Sequence, residues 1–298
     1  MSEAHTPIVV VTGASSGIGY ACVEALIASG RFVFGSVRNE ADALRLKEKF
    51  GSGFAPLLFD VTDGAAVQRA AHVVEERLEG RALAGLVNNA GVALPGPLLF
   101  QPIEEIRRQF EVNVIGQVQV IQAFAPLLGA GAKRDGTPGR IVNMSSVAGT
   151  VASPFVGAYA ASKHALEGLS DALRRELAIF GVDVVVIEPG VIRTPIWDKA
   201  QAVDLSELDP TVYGRSAERL QMWAANQVEV GTPAEIVAKA VLRALDERRP
   251  PVRIRVVQNY LLDWVLPRIL PTRILDRLIT KRLGLLPPSE GVQVPPPT

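Results

Sequence analysis

Only one cysteine, Cys22, and three scattered histidines, His5, His72 and His164, occur among 298 residues. A lone thiol cannot close an internal disulfide, and without a second sulfur or spaced imidazoles a zinc site has too few ligands. A reducing compartment and chemistry without a metal are therefore expected. Net charge is also absent. The 31 basic residues balance 31 acidic ones, which argues against a generally basic nucleic-acid binder, so no nucleic-acid partner is expected. No uncharged apolar run reaches the ~18 residues that suggest a membrane-spanning helix. The opening MSEAHTP has neither the basic start nor the hydrophobic stretch of a secretion signal. The expectation is a cytoplasmic protein, soluble or held at a membrane periphery.

Apolar residues are plentiful, at 48%, enough for a large core in one α/β domain or two small ones. Ile8 to Val11 form an unbroken apolar run of the kind buried on both faces of a parallel sheet. TGASSGIG follows, Thr12 to Gly19, and then the helical pattern YACVEALIASG with Gly30 as its stop. Gly13, Gly17 and Gly19 let the backbone turn and approach a ligand. The helix N-terminus beyond them offers free N–H groups to a pyrophosphate. The spacing G-x-x-x-G-x-G differs from the commoner G-x-G-x-x-G, and alone such a turn is a weak signal.

The second strand, 31–37, ends in GSVRNE. An NAD site usually places an acid near this point. Here Arg38 stands instead, and a guanidinium forks onto a ribose 2′-phosphate. NADP(H) is the expected cofactor, with the Ser16 hydroxyl on the same phosphate. A helix over 41–50, a strand over 54–59 leading to Asp60, a helix over 64–78 and a strand over 83–87 running into NNAG continue the alternation. Asn113 falls inside the next helical stretch, a mildly unfavourable place that calls for a reason. A polar linker, GAGAKRDGTPG, precedes a strand at 140–144. A long helix then runs to Gly181, and a strand over 182–187 meets the Pro189–Gly190 turn.

The stretch from Ser146 to Lys163 carries the chemistry. Tyr159 and Lys163 are four apart and share one helical face. A phenol is a poor base at neutral pH until a nearby cation stabilises its phenolate, and Lys163 is such a cation. Ser146, at a strand end, can hold the oxygen whose proton Tyr159 handles. Taken alone, a tyrosine and a lysine at this spacing would be a surface pair.

TGASSGIG, the DVT at Asp60, NNAG, Asn113, Ser146, YAASK and EPGVIRT, in this order and at these intervals, resemble the short-chain dehydrogenase/reductase family over residues 7–257. The resemblance implies an α/β fold: a single Rossmann-type doubly wound domain, a seven-stranded mostly parallel sheet with helices on both faces, and a C-terminal helical extension. It implies Tyr159 as acid/base, Lys163 lowering its pKa and holding the nicotinamide ribose, Ser146 orienting the substrate oxygen, and Asn113 supporting a water that links Lys163 to solvent. Ser145 is a rival for Ser146, but the interval to the tyrosine and the following VAG favour Ser146. The cofactor residues implied are Gly13, Ser15, Ser16, Gly17, Ile18, Gly19, Arg38, Asp60, Val61, Asn88, Ala90, Gly91, Tyr159, Lys163, Pro189, Gly190, Ile192 and Thr194. The hydroxysteroid and retinol dehydrogenase branch is the nearest in wording. It implies a lipophilic alcohol or ketone as substrate and a homo-oligomer, dimer or tetramer.

The resulting division is a catalytic unit over 1–257 and an extension over 258–298. Within the first, 195–230 is an apolar lid carrying Trp197, Val203, Leu205, Leu208, Tyr213, Leu220, Met222 and Trp223. Thr232 is read as the N-cap of a final helix, with Pro233 in its first turn and Glu235 reaching back, and a seventh strand covers 252–257. Beyond residue 251 there are seven basic and three acidic residues, interleaved with Trp, Leu and Ile. Such a segment can lie on an anionic membrane, close over a substrate mouth or form a subunit contact. Two other functions stay open: a non-catalytic NADP(H) sensor, and a membrane-surface interaction protein acting through the tail.

Overall fold

A computed structural model describes residues 6–194 and 230–285, together with 213, 214, 216, 218, 219 and 222. Seven strands form one sheet: β1 (Ile8–Val11), β2 (Phe32–Val37), β3 (Phe54–Leu58), β4 (Gly85–Asn88), β5 (Arg140–Met144), β6 (Asp183–Pro189) and β7 (Arg253–Val256). Their order is β3-β2-β1-β4-β5-β6-β7, and every pairing is parallel. The order reverses between β1 and β4, and in such sheets ligands bind outside the carboxyl ends of the strands at that point.

Parallel strands need crossovers, here helical, and the helices bury both faces. In β1, Ile8 and Val10 enter one core while Val9 and Val11 enter the other. This alternation is why the run has to be apolar throughout. The Val9 side meets α1 (Gly17–Ala28) through Cys22 and Leu26, α2 (Glu40–Phe50) through Leu46, and α7 (Ala234–Asp246) through Val237 and Val241. The Val10 side meets α3 (Gly64–Leu78) through Val67 and Val74, and α5 (Gly116–Phe124) through Val120 and Phe124. The Cys22 thiol is fully buried, and burial pushes it up to about 12, so it is an inert core side chain.

Between β4 and α5 lies α4 (Ile103–Phe110), joined to α5 by a π-helical turn, Glu111–Ile115. This turn holds Asn113. The longest helix among the described residues, α6 (Gly157–Glu176), carries Tyr159 and Lys163 in its first two turns. Asn39 and Asp63 cap α2 and α3 by accepting from Asp42 N and Ala66 N. The expected cap on α7 is a correction: Pro233 occupies that position, and no side chain caps the helix. Thr232 is committed elsewhere, since its N–H and C=O both bond in a parallel bridge with the segment around Ile192.

The C-terminal stretch consists of a π turn (Leu261–Val265), a short α8 (Leu266–Ile269) and α9 (Thr272–Leu283). Trp264 anchors it. The indole is buried between the guanidinium groups of Arg255, 4.1 Å from the ring centroid, and Arg268, 3.2 Å from it. Arg255 Nε also donates to Oε2 of the fully buried Glu188 at 3.1 Å. Arg253 Nε reaches Glu167 Oε2 at 3.0 Å and lies 3.3 Å from Glu188 Oε1. Burial, and then the Glu167 charge, push the Glu188 carboxyl upward against these arginines.

Candidate active site

The carboxyl ends of β1, β2, β4, β5 and β6 open onto one elongated cleft of about 1220 Å³, larger than the usual range for a single small ligand. One end is the glycine turn. Gly13 and Gly17 have φ of +67° and +55°, a left-handed backbone that other residues adopt only at a cost. Gly19 lies behind the turn. A Cβ there would overlap the Gly13 carbonyl and crowd the Asn89 amide, so its role is close packing of α1 against the strand ends. Three polar side chains fix the turn. Ser36 Oγ accepts from Gly13 N at 2.9 Å, Thr12 Oγ1 accepts from Asn89 N and Ala90 N at 2.9 Å, and Asn89 Nδ2 donates to Thr12 O at 2.9 Å. Arg45 holds the Ser15 carbonyl at 2.8 Å.

Most of the expected cofactor residues line the cleft: Gly13, Ser15, Ser16, Gly17, Ile18, Arg38, Asp60, Val61, Ala90, Gly91, Pro189, Gly190, Ile192 and Thr194. Gly19 and Asn88 do not. Asn88 is the last residue of β4, and its side chain turns inward to donate to Gln117 O at 3.1 Å. The next residue, Asn89, faces the cleft. Arg38 is exposed at the rim and engages in no ion pair among the described residues.

Ser146, Tyr159 and Lys163 all line this cleft. Ser146 Oγ accepts from Ala148 N at 3.1 Å and donates to Pro189 O at 3.4 Å, so the strand β6 turn sets its rotamer. The rival Ser145 lines the same floor, but its hydroxyl is buried without a partner among the described residues. Burial pushes the Tyr159 phenol up, and a hydrogen bond with Ser146 pulls it partly back. The lowering expected from Lys163 is not the controlling influence here. Its Nζ sits 5.8 Å from the phenol ring centroid and donates to Met144 O at 2.8 Å. Burial drives the ammonium down to about 8, opposed by the Glu167 carboxylate one turn on.

Asn113 answers the question its sequence position raised. Fully buried in the π turn, it exchanges bonds with Val92, accepting from N and donating to O at 2.8 Å each. Its Nδ2 also donates to Ser162 Oγ at 3.0 Å, and Ser162 bonds to Tyr159 O at 2.7 Å. The side chain thus ties the loop after NNAG to the helix bearing the tyrosine.

The lining also includes apolar Leu94, Val147, Val151, Phe155, Ile279 and Leu283, with the charged Glu104, Arg107, Arg108, Glu111 and Arg282 among them. Phe155 is buried with φ of +65°, a costly backbone for a bulky residue and one with no sequence signal. Tyr213 packs edge-on against Phe100 and Phe155, with ring centroids 5.9 and 6.0 Å apart. Of the other apolar side chains expected in the lid, only Met222 is among the described residues. Ile279, Arg282 and Leu283 bring α9 to the cleft, a contribution that the helical spacing of the tail did not reveal.

Comparison with known proteins agrees with this geometry. The chain matches the short chain dehydrogenase family over residues 7–204. It is 43% identical to an NADPH-dependent 3-dehydrocapnine reductase of Ornithobacterium rhinotracheale, over 93% of this chain and 97% of that one. It is 31% identical to retinol dehydrogenase 5 of Mus musculus, covering 93% and 89%. The structure of a short chain dehydrogenase/reductase from Burkholderia phymatum in complex with NAD superposes with a TM-score of 0.74 at 27% identity, covering 99% and 100%. A parallel sheet reversing at β1 and β4, a glycine turn at the switch and a Ser-Tyr-Lys group in one cleft, with these matches, show that the chain belongs to the short-chain dehydrogenase/reductase family of oxidoreductases.

Proposed function

We propose that the chain is an NADP(H)-dependent reductase of a lipophilic ketone, steroid-, retinoid- or fatty-chain-like, with Tyr159 as the proton donor. The observation that carries this reading is that Ser146, Tyr159 and Lys163 line one cleft with a glycine turn and a set of apolar side chains. Nicotinamide, when bound, supplies the hydride. The chain's own residues do the rest. The N-terminus of α1 and the Ser15–Gly17 part of the turn would present N–H groups to a pyrophosphate, the Gly13 and Ala14 N–H groups being held by Ser36, and Ser16 and Arg38 would take a 2′-phosphate. Asp60 and Val61 would border the adenine, Ala90 and Gly91 the adenosine ribose, and Pro189 to Thr194 the nicotinamide end, with Lys163 holding the nicotinamide ribose.

At the reacting centre Ser146 donates a hydrogen bond to the carbonyl oxygen and Tyr159 delivers a proton to it as negative charge develops. A phenol held up by burial stays protonated until that moment, which suits the reducing direction. Residues 1–257 act as the catalytic unit, with 195–230 covering the substrate, and the extension from 258 adds Ile279 and Leu283 to the cleft. The reductase named among the relatives supports the direction and the cofactor, and the retinol dehydrogenase supports a lipophilic substrate.

Purified protein should oxidise NADPH with a lipophilic ketone or aldehyde from a panel of steroid, retinoid and fatty-chain carbonyls, and prefer it to NADH. A panel without any turnover would remove the reading and favour a sensor. The pH dependence has a defined sign. Lys163 in the free protein is pushed down to about 8 from an ordinary value of 10.5, so its charge is complete below that pH and lost above it. kcat/KM for NADPH should therefore fall as pH rises through about 8, since that quantity reports the free protein.

A further inference from the structure

Six large apolar side chains in the nineteen residues from 260 to 278 face solvent: Tyr260, Leu261, Leu262, Ile269, Ile274 and Leu278, each 45–69% exposed. Single exposed apolar residues are ordinary, but six within so short a segment mark a contact surface. The helix α9 shows what kind. With about 100° between successive residues, Leu275, Ile279 and Leu283 share the inward arc, and with Thr280 they are the half-buried ones. Ile274 and Leu278 lie on the next arc outward, exposed. Beyond them Arg273, Arg277 and Lys281 form an exposed basic stripe, and Arg282 closes the other side at the rim of the cleft. Asp276 is the only acid on the helix, and none of its residues is fully buried. From 258 to 285 the chain carries five basic residues against two acidic ones.

An apolar stripe bracketed by long cationic side chains is poorly matched to water and well matched to a phospholipid surface, where the stems lie in the boundary and the charges meet phosphates. A two-fold contact with a second copy would set the same basic stripe against itself with one acid per helix to offset it. We propose that residues 260–283 dock the protein peripherally on an anionic lipid bilayer, Ile274 and Leu278 entering the headgroup boundary, Arg273, Arg277 and Lys281 on the phosphates. Because Ile279 and Leu283 of the same helix line the cleft, its mouth then opens toward the lipid, and the substrate is drawn from the bilayer. That last step rests on the oxidoreductase reading; the docking does not.

Full-length protein is sedimented with vesicles of phosphatidylcholine alone and of phosphatidylcholine mixed with phosphatidylglycerol. Binding is expected to the anionic vesicles and to weaken with salt. Leu278→Asp and Arg277→Glu should each weaken it about tenfold, with unchanged NADPH oxidation on a water-soluble ketone without vesicles. If Leu278→Asp lowers the melting temperature, Arg277→Glu, on an exposed residue, decides. Absence of binding to anionic vesicles, or equal binding by wild type and Arg277→Glu, overturns the proposal. So does a dimer in sedimentation velocity that Leu278→Asp dissolves, since a second copy would then occupy the face. Vesicle binding by a protein that turns over no carbonyl would leave the docking standing and remove the catalytic reading instead.

Discussion

Tyr159→Phe should lower kcat for ketone reduction by about 10²–10⁴-fold, the usual contribution of a positioned general acid, with NADPH affinity changed little. The substitution removes one hydroxyl and leaves the ring, so the walls of the cleft keep their shape. Ser146 would still mark the substrate oxygen, but no group beside it would supply the proton. Ser146 is also held by Ala148 N and Pro189 O, and those two bonds remain when the phenol is cut back. Single-turnover oxidation of NADPH, with cofactor binding followed by nucleotide fluorescence, separates the two effects. A Phe variant retaining wild-type kcat would assign the proton to another donor, and Ser145, whose hydroxyl is buried and without a partner among the described residues, is the first to test.

Arg38→Asp should invert the cofactor preference. A charge-assisted hydrogen bond contributes roughly 1.5–3 kcal/mol, and the new carboxylate adds repulsion toward a 2′-phosphate while accepting from a bare ribose hydroxyl. The ratio of kcat/KM for NADPH to that for NADH should fall by more than about 100-fold, from losses on one side and gains on the other. Arg38 is exposed at the cleft rim, so stability should be preserved. Asp42, whose carboxyl is held low mainly by Arg45 and secondarily through Asn39 and Arg38, is a neighbour whose charge balance would change. NADPH kinetics unchanged in the variant would place the phosphate elsewhere in the cleft.

Much of this architecture was readable from local pattern. The valine run of β1 had to be buried on both faces, and the ends of β1 to β6 carried turns whose residues now line the cleft. What resisted reading was what depends on facing rather than on spacing. Asn88 and Asn89 are adjacent amides, and only strand alternation decides that the first braces Gln117 and the second meets the cleft. Thr232 has the composition of a cap, but a bridge to the loop after β6 captured its backbone first. Tyr159 and Lys163 were placed together by helical period, whereas the bond from Lys163 to Met144 O depends on how α6 sits over β5. Likewise the period of α9 gave an amphipathic helix without saying which surface its inner arc would meet.

The stacked Arg255–Trp264–Arg268 group has a mechanical consequence. Arg255 grips Glu188, and Glu188 immediately precedes Pro189, whose carbonyl receives the Ser146 hydroxyl. A load on the C-terminal helices is therefore delivered, through one indole and one carboxylate, to the seat of the serine. Cutting the chain at 258 would strip that rivet away and leave a buried anion short of its cover, so loss of turnover after truncation would not by itself reveal what the outer helices touch.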